Sequence, residues 1–445
     1  MARFSYKYPD PLTGGAPPNI PQNVYVIGVA LVVGLMTGAG AEALKYLVKA
    51  ISEIVTAGVS PGGWNWIFII LPAIGILLAV LYQRYILRQQ IAHGVERMTR
   101  LLHTDTPYLP SDQIWSPVIG AGLTLGFGGS AGTEGPIATA GGALGSNMAR
   151  WCNMPAPMVR AMLVIGAGAG IAGIFKAPVG GMLFAIEVLG ITMSALQLLA
   201  LATACTAAGL AAYVISGLTT DVTFPDFTHI DLASVPWAVI IGVFCGIYSA
   251  YYSRLARFTR ARLERMRNPW LRIIAAGLSI GALTLLFPRL YGEGYTFVTD
   301  ILSGHWELIT ASSPFASLQP TPTLLILMAL AMMVVKSGAV ACTTSGGGVA
   351  GDFAPAIFAG SIAGFFFAMT ANTLFGLHLP VADCAFFGMA AVLAGAVRAP
   401  LMAMFLVTEM VAHFSLLLPV AIASGMSYMT VCLLDRRNAP KGYVS

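Results

Sequence analysis

The sequence predicts an all-α polytopic membrane protein built from short, interrupted helices in two related halves. Three observations carry that prediction. Of 445 residues, 57% are hydrophobic and only 10% charged, where a soluble domain carries about a quarter, and mean hydropathy is +0.78. Apolar segments fill nearly the whole chain, and several fall short of the ~20 residues that cross a hydrocarbon core, with Gly or Pro at their joints. Two motifs from the first half recur in the same order in the second.

Taken in order, the start MARFSYKYPDPLTGGAPPNIP is polar and proline-rich and lacks the apolar stretch of a secretory signal. Residues 1–22 are therefore expected to form a cytoplasmic segment, and the first apolar run, 23–57, a retained transmembrane helix. Runs at 63–83 and 114–127 follow. Then come 157–175, 178–190 and 194–217, which closes a first half of 23–217. The second half, 235–434, contains 235–259, 270–288, 322–341, 355–376, 381–396, 400–412 and 416–434. Residues 435–445 are a short tail. Broken helices survive at membrane depth only where the freed backbone groups are buried in protein or line a polar cavity. That favours a transporter or channel over a plain receptor-like bundle.

Charge placement gives an orientation. Arg254, Arg257, Arg260, Arg262, Arg265, Arg267 and Arg272 crowd one connection; Arg84, Arg88, Arg97 and Arg100 crowd another. The tail adds Arg436, Arg437 and Lys441. The positive-inside rule makes all three cytoplasmic. LTTDVTFPDFTHIDLASVP, with Asp221, Asp226 and Asp231 and no Lys or Arg, is expected to face outward. The arginine run reads as this topology signal, and no nucleic-acid partner is expected. The six cysteines (152, 205, 245, 342, 384, 432) lack metal-ligand spacing and neither HExxH nor CxxC occurs, so they read as small core residues, with no metal or cofactor expected.

The repeat is explicit. KAPVGGMLFAIEV (176–188) matches RAPLMAMFLVTEM (398–410) at an offset of 222, each with a base, Ala-Pro, an apolar run and a glutamate, Glu187 or Glu409. Upstream, AGTEGPIATAGG (131–142) matches AGDFAPAIFAGS (350–361) at an offset of 219. Duplicated halves with glycine-interrupted helices point to a transport site at the repeat interface. Glycine lets backbone N–H groups approach a ligand, and helix N-termini carry partial positive charge, so such breaks suit anions. Helices are expected to start at Pro136 and Pro355, aiming both glycine-rich loops at a common centre. In the middle of this apolar, glycine-rich surrounding stands Glu134, and a carboxylate inside a membrane is expensive enough to be functional by default.

These motifs resemble those of the CLC family of chloride channels and anion/proton exchangers. Gly132-Thr133-Glu134-Gly135-Pro136 resembles its G-[KR]-E-G-P, and Gly351-Asp352-Phe353-Ala354-Pro355, after the glycine run Ser345–Gly348, resembles G-x-F-x-P. Phe175–Glu187 resembles the A-P-x-x-G-x-L-F-x-x-E helix, and Gly292-Glu293-Gly294-Tyr295 the G-x-G-Y turn. The resemblance runs from about residue 23 to 434. It implies a CLC-like fold of two inverted-topology halves and a homodimer with one anion pathway per subunit, in the cell membrane with both termini cytoplasmic. It implies that Glu134 is the gate, whose carboxylate takes an anion position and leaves on protonation. Backbone amides at Thr133, Glu134, Gly135, Asp352, Phe353 and Ala354 would line the anion sites.

The sequence departs from the family at the side chains. His93 falls where the family has an inner serine, and Phe414 where it has a pore tyrosine; Val188 follows Glu187 where many exchangers have a second, inward glutamate; Thr133 replaces the basic residue before the gate. His93 is either an N–H donor to the anion, with a charge that titrates near neutral pH, or a helix-end histidine beside the basic loop. Phe414 is either a hydrophobic gate or an aromatic edge toward the anion. Lys176 and Arg398 either tune the pathway or pair with carboxylates and carbonyls; Glu187 and Glu409 read as structural. Chloride is the expected anion, exchanged for protons or passed passively, with fluoride export as the alternative. Gly128-Gly129-Ser130-Ala131-Gly132 also satisfies G-x-S-x-G, which leaves an intramembrane hydrolase with Ser130 as nucleophile and His93 or His413 as base; otherwise no enzymatic activity is expected.

Overall fold

The computed structural model describes residues 21–59, 65–89, 91, 94–102, 104, 107–220, 222 and 234–438. Helices account for almost all of it. α1 (Gln22–Val55) and α2 (Ile67–Leu81) come first, α2 continuing as a π-helical turn through Tyr82–Leu87. Short α3 (Gly94–Leu102) and α4 (Ser116–Gly126) precede α5 (Glu134–Trp151), α6 (Ala156–Phe175), α7 (Pro178–Leu183) and α8 (Ala195–Ile215). The remainder comprises α9 (Ser234–Glu264), α10 (Pro269–Leu286), α11 (Tyr295–Leu302) and α12 (Pro322–Ser345). It ends with α13 (Phe353–Phe375), α14 (Val381–Val397), α15 (Pro400–Val411) and α16 (Leu417–Asn438).

Among the described residues nine helical segments are long and apolar enough to span a membrane. Leu31, Leu35, Ile70, Ile74, Leu199, Leu210, Ile247, Ile274 and Leu327 stand exposed along them, as side chains facing lipid do. The shorter apolar segments, α4, α7 with its π turn, α14 and α15, are the broken helices that the punctuation implied. The fold class is that of the sequence prediction. Two helix starts are displaced: α5 begins at Glu134 and α13 at Phe353, two residues before Pro136 and Pro355. A first-turn N–H has no partner within its own helix, so proline is tolerated there and does not have to open the helix.

The chain divides into two compact units, one from within 1–44, 91–119 and 135–219, the other from within 45–90, 120–134 and 220–445. Each contains the same helix crossing. In the first, a Cβ on Gly141 would lie 2.2 Å from the Gly166 carbonyl oxygen, and one on Gly145 2.0 Å from that of Met162. In the second, a Cβ on Gly360 would lie 2.3 Å from the Gly388 oxygen, and one on Gly364 2.0 Å from that of Cys384. The α5 positions map to α13 at +219 and the α6 positions to α14 at +222, the two offsets of the sequence repeat. Backbones this close require glycine, as where membrane helices pack through small residues.

Both crossings end alike. α6 stops at Lys176 and α14 at Arg398, each left-handed (φ 53° and 63°), and a proline opens the next helix. Lys176 Nζ donates to the Thr219 carbonyl at 2.7 Å and lies 4.0 Å from Glu42, almost wholly buried. Arg398 pairs with Asp435 at the surface. The repeated bases pair with carboxylates and a carbonyl, the structural alternative of the sequence reading. Glu187, in the π turn Phe184–Val188, and Glu409, in α15, are half-buried.

Candidate functional site

The two glycine-rich loops, 127–133 before α5 and 346–352 before α13, are joined backbone to backbone. Gly132 N–H donates to the Gly351 oxygen at 2.9 Å and Gly351 N–H returns to the Gly132 oxygen at 2.7 Å. Ser130 N–H donates to Thr343 Oγ1 at 3.1 Å, and Val349 N–H to Thr124 Oγ1 at 3.0 Å. Each hydroxyl in turn donates one helical turn back, Thr343 to Ala339 O and Thr124 to Gly120 O. All of these pairs are related by +219 (132 to 351, 130 to 349, 124 to 343, 120 to 339). The scaffold of the site is therefore a repeat bonded to itself.

One further bond joins repeat-equivalent positions, and there the chemistry differs. Glu134 lies at +219 from Phe353, and its Oε1 accepts a short hydrogen bond from the Phe353 N–H. The Glu134 amide also donates to its own carboxylate. The side chain is 2% exposed, and Oε2 has no hydrogen-bond partner among the described residues. Gly132 makes this fold possible, because a Cβ there would lie 2.0 Å from Glu134 Oε2. The carboxylate thus takes a backbone N–H at a helix N-terminus, a position suited to an anion.

Two charged residues that the sequence reading did not assign complete the cluster. Lys336, alone among basic residues in the apolar helix α12, is fully buried. Its Nζ donates to Ser130 Oγ at 2.9 Å and lies 4.3 Å from the centre of the Phe358 ring, close enough for cation–π attraction. Glu293, in the turn before α11, accepts at Oε1 from the Thr133 N–H at 2.8 Å and from the Thr133 hydroxyl at 2.6 Å. The charge of Lys336 acts on both Glu293 and Glu134. A lone lysine in a membrane helix is itself a signal, and it could have been found in MVVKSG.

Of the other expected site residues, Thr133, Phe353 and Ala354 are buried, and Gly135 follows Glu134 in the first turn of α5. Asp352 is exposed. Phe414 is 56% exposed in the turn Phe414–Leu416 and stands outside this buried cluster. Among the described residues, Ser130 and His413 are each bonded to another partner, and His93 lies outside them. The Ser130 hydroxyl oxygen accepts from a buried lysine, while His413 bonds Ser415 Oγ at 2.7 Å on an exposed turn. The Ser130 side chain has no exposed surface.

Comparison with known proteins decides the family. Residues 74–431 match the model of the voltage gated chloride channel family. The chain belongs to this CLC family. The H(+)/Cl(-) exchange transporter ClcA of Vibrio vulnificus is 25% identical over 415 residues, covering 90% of this chain and 85% of that one. Among solved structures, a slow cyanobacterial Cl-/H+ antiporter superposes with a TM-score of 0.77 at 23% identity, over 95% of this chain and 100% of its own. A CLC-type fluoride/proton antiporter superposes at 0.74, also at 23% identity, over 91% and 95%. Both structures share the fold of this CLC chain, an integral membrane protein.

Proposed function

We propose that this CLC protein carries chloride, or a similar small anion, across the membrane in exchange for protons, along a pathway that Glu134 closes. The carrying observation is the hydrogen bond from the Phe353 N–H to the Glu134 carboxylate. An anion and the ionised carboxylate compete for the same donor, and protonation removes the charge that holds the carboxylate there. Flux therefore rises as external pH falls. The likeness to a relative named as a proton/chloride exchanger supports exchange over passive flow. Amides at Thr133, Glu134, Gly135, Asp352, Phe353 and Ala354 would serve the anion, with His93 and Phe414 at its inner end. The working unit would be a homodimer in the cell membrane with both termini cytoplasmic, performing transport and no covalent chemistry.

The test is chloride efflux from liposomes holding purified protein, at a series of external pH values. Glu134→Gln, which mimics protonation, is expected to raise flux several-fold at neutral pH and to remove the Glu134 part of its pH dependence. A Glu134→Gln protein with the pH dependence of the unaltered chain would remove Glu134 from the gate.

A further inference from the structure

The symmetric scaffold leaves one carboxylate unexplained. Where the CLC motif has a basic residue before the gate, this chain has Thr133, and its N–H and hydroxyl both donate to Glu293 Oε1. We propose that Glu293 is a second carboxylate gate, holding the Thr133 amide as Glu134 holds the Phe353 amide, so that two protonations open the pathway. This rests on the reading of Glu134 given above.

The donor set carries the argument. An oxygen that receives a backbone N–H and a hydroxyl from a glycine-rich loop occupies a position an anion could take. Charge carries the rest. Lys336 contributes +1 to the cluster and the two ionised carboxylates −2, so the closed pathway holds a net −1 and repels anions. One protonation brings the cluster to zero, and two bring it to +1, which attracts them. Charged and titratable groups bear on Glu293 from several elements. The charge of Lys336 acts on it from α12, with Ser130 Oγ bonded to the ammonium, and the charge of Glu134 acts on it from the first residue of α5. Asp352 and, from α9, the buried Tyr252 act on Glu134. In Glu293's own turn, Arg289 is paired with Asp300 at 2.9 Å and with the Leu308 carbonyl, and the Tyr291 hydroxyl donates to the Gly126 carbonyl.

Glu293→Gln separates a gate from a tether, since an amide oxygen accepts from the same two donors but does not titrate. Chloride efflux from liposomes is measured against external pH for Glu134→Gln and for Glu134→Gln with Glu293→Gln. Glu134→Gln alone is expected to keep a residual one-proton dependence, falling about tenfold per pH unit on its alkaline limb. Adding Glu293→Gln is expected to abolish it. Thr133→Val keeps the amide donor and removes the hydroxyl, so anionic Glu293 is held less firmly and the residual dependence is expected to move to higher pH. A flat Glu134→Gln profile, a residual slope that survives Glu293→Gln, or an unshifted Thr133→Val profile would overturn the second gate. None of these touches the primary reading, which falls instead if the unaltered protein moves no chloride or if Glu134→Gln leaves its pH dependence unchanged.

Discussion

Gly132 is where the shape of the site can be tested with a single methyl group. A Cβ at this position would meet Glu134 Oε2 at 2.0 Å and the carboxyl carbon at 2.7 Å, far inside contact distance, so the carboxylate could not keep its place on the Phe353 amide. Gly132→Ala is expected to behave as a gate held open, with chloride flux in liposomes raised several-fold at neutral pH and less sensitive to external pH. Flux equal to that of the unaltered protein would mean that the carboxylate reaches its place by another route. Lys336 gives the complementary test. Removing a buried charge that acts on the Glu134 position is worth about 1–2 kcal/mol to an anion there, at an effective dielectric constant near 20 and after partial compensation by nearby groups. Lys336→Met should therefore raise the half-saturating chloride concentration roughly tenfold, with Lys336→Arg falling between; equal values would place the ammonium's role in folding alone. At this scale Glu134 was legible because a carboxylate among glycines has no cheap structural use. The role of Glu293 is not legible in its own turn, because its partner, Thr133, is 160 residues away. No local spacing encodes such a pair.

At the scale of elements, the repeat makes a quantitative comparison available. Gly166 and Gly388 occupy equivalent places in the two crossings, and a Cβ would lie 2.0 Å and 2.2 Å from the carbonyl oxygens of Gly141 and Gly360. Either alanine substitution must push two helices apart, at a cost of roughly 1–3 kcal/mol or more by overpacking. Gly28 and Gly425 are also helical, but a Cβ there meets nothing within 4 Å, so alanine should stabilise by about 0.5–1 kcal/mol. Thermal unfolding in detergent is expected to separate the pairs, with Gly166→Ala and Gly388→Ala lowering the midpoint and Gly28→Ala and Gly425→Ala leaving or raising it. A uniform response would show that the crossings are loose. Most helices were readable from hydropathy, but α3, α5 and α11 were absent from the apolar segments. The reason is physical. α5 is rich in Gly, Ala, Ser and Thr because it packs backbone to backbone, and such residues score poorly as hydrophobes while serving as helix contacts. α3 and α11 have nine and eight residues, too few to register in a span-length window.

In the whole molecule, proton and anion movements are tied together on a symmetric frame. The repeat supplies a scaffold that bonds to itself through equivalent positions, and the charges break that symmetry. Glu134 corresponds to Phe353, Lys336 to Pro117, and Thr133 to Asp352 at +219. Transport asymmetry therefore resides in side chains placed on a symmetric frame, and protons must use those side chains or water. The inward glutamate of many exchangers is replaced by Val188, half-buried at the end of the π turn after α7, so no carboxylate at that position relays a proton to Glu134. If the protein exchanges, the proton reaches Glu134 through water on the inner side. The measurement is simultaneous recording of chloride and proton movement in liposomes under a chloride gradient, with no proton gradient imposed. Uphill proton movement driven by chloride is expected, and Glu134→Gln should abolish it while chloride still flows. Chloride flux with no proton movement in the unaltered protein would make Val188 decisive and the pathway passive, with Glu134 acting as a pH gate alone.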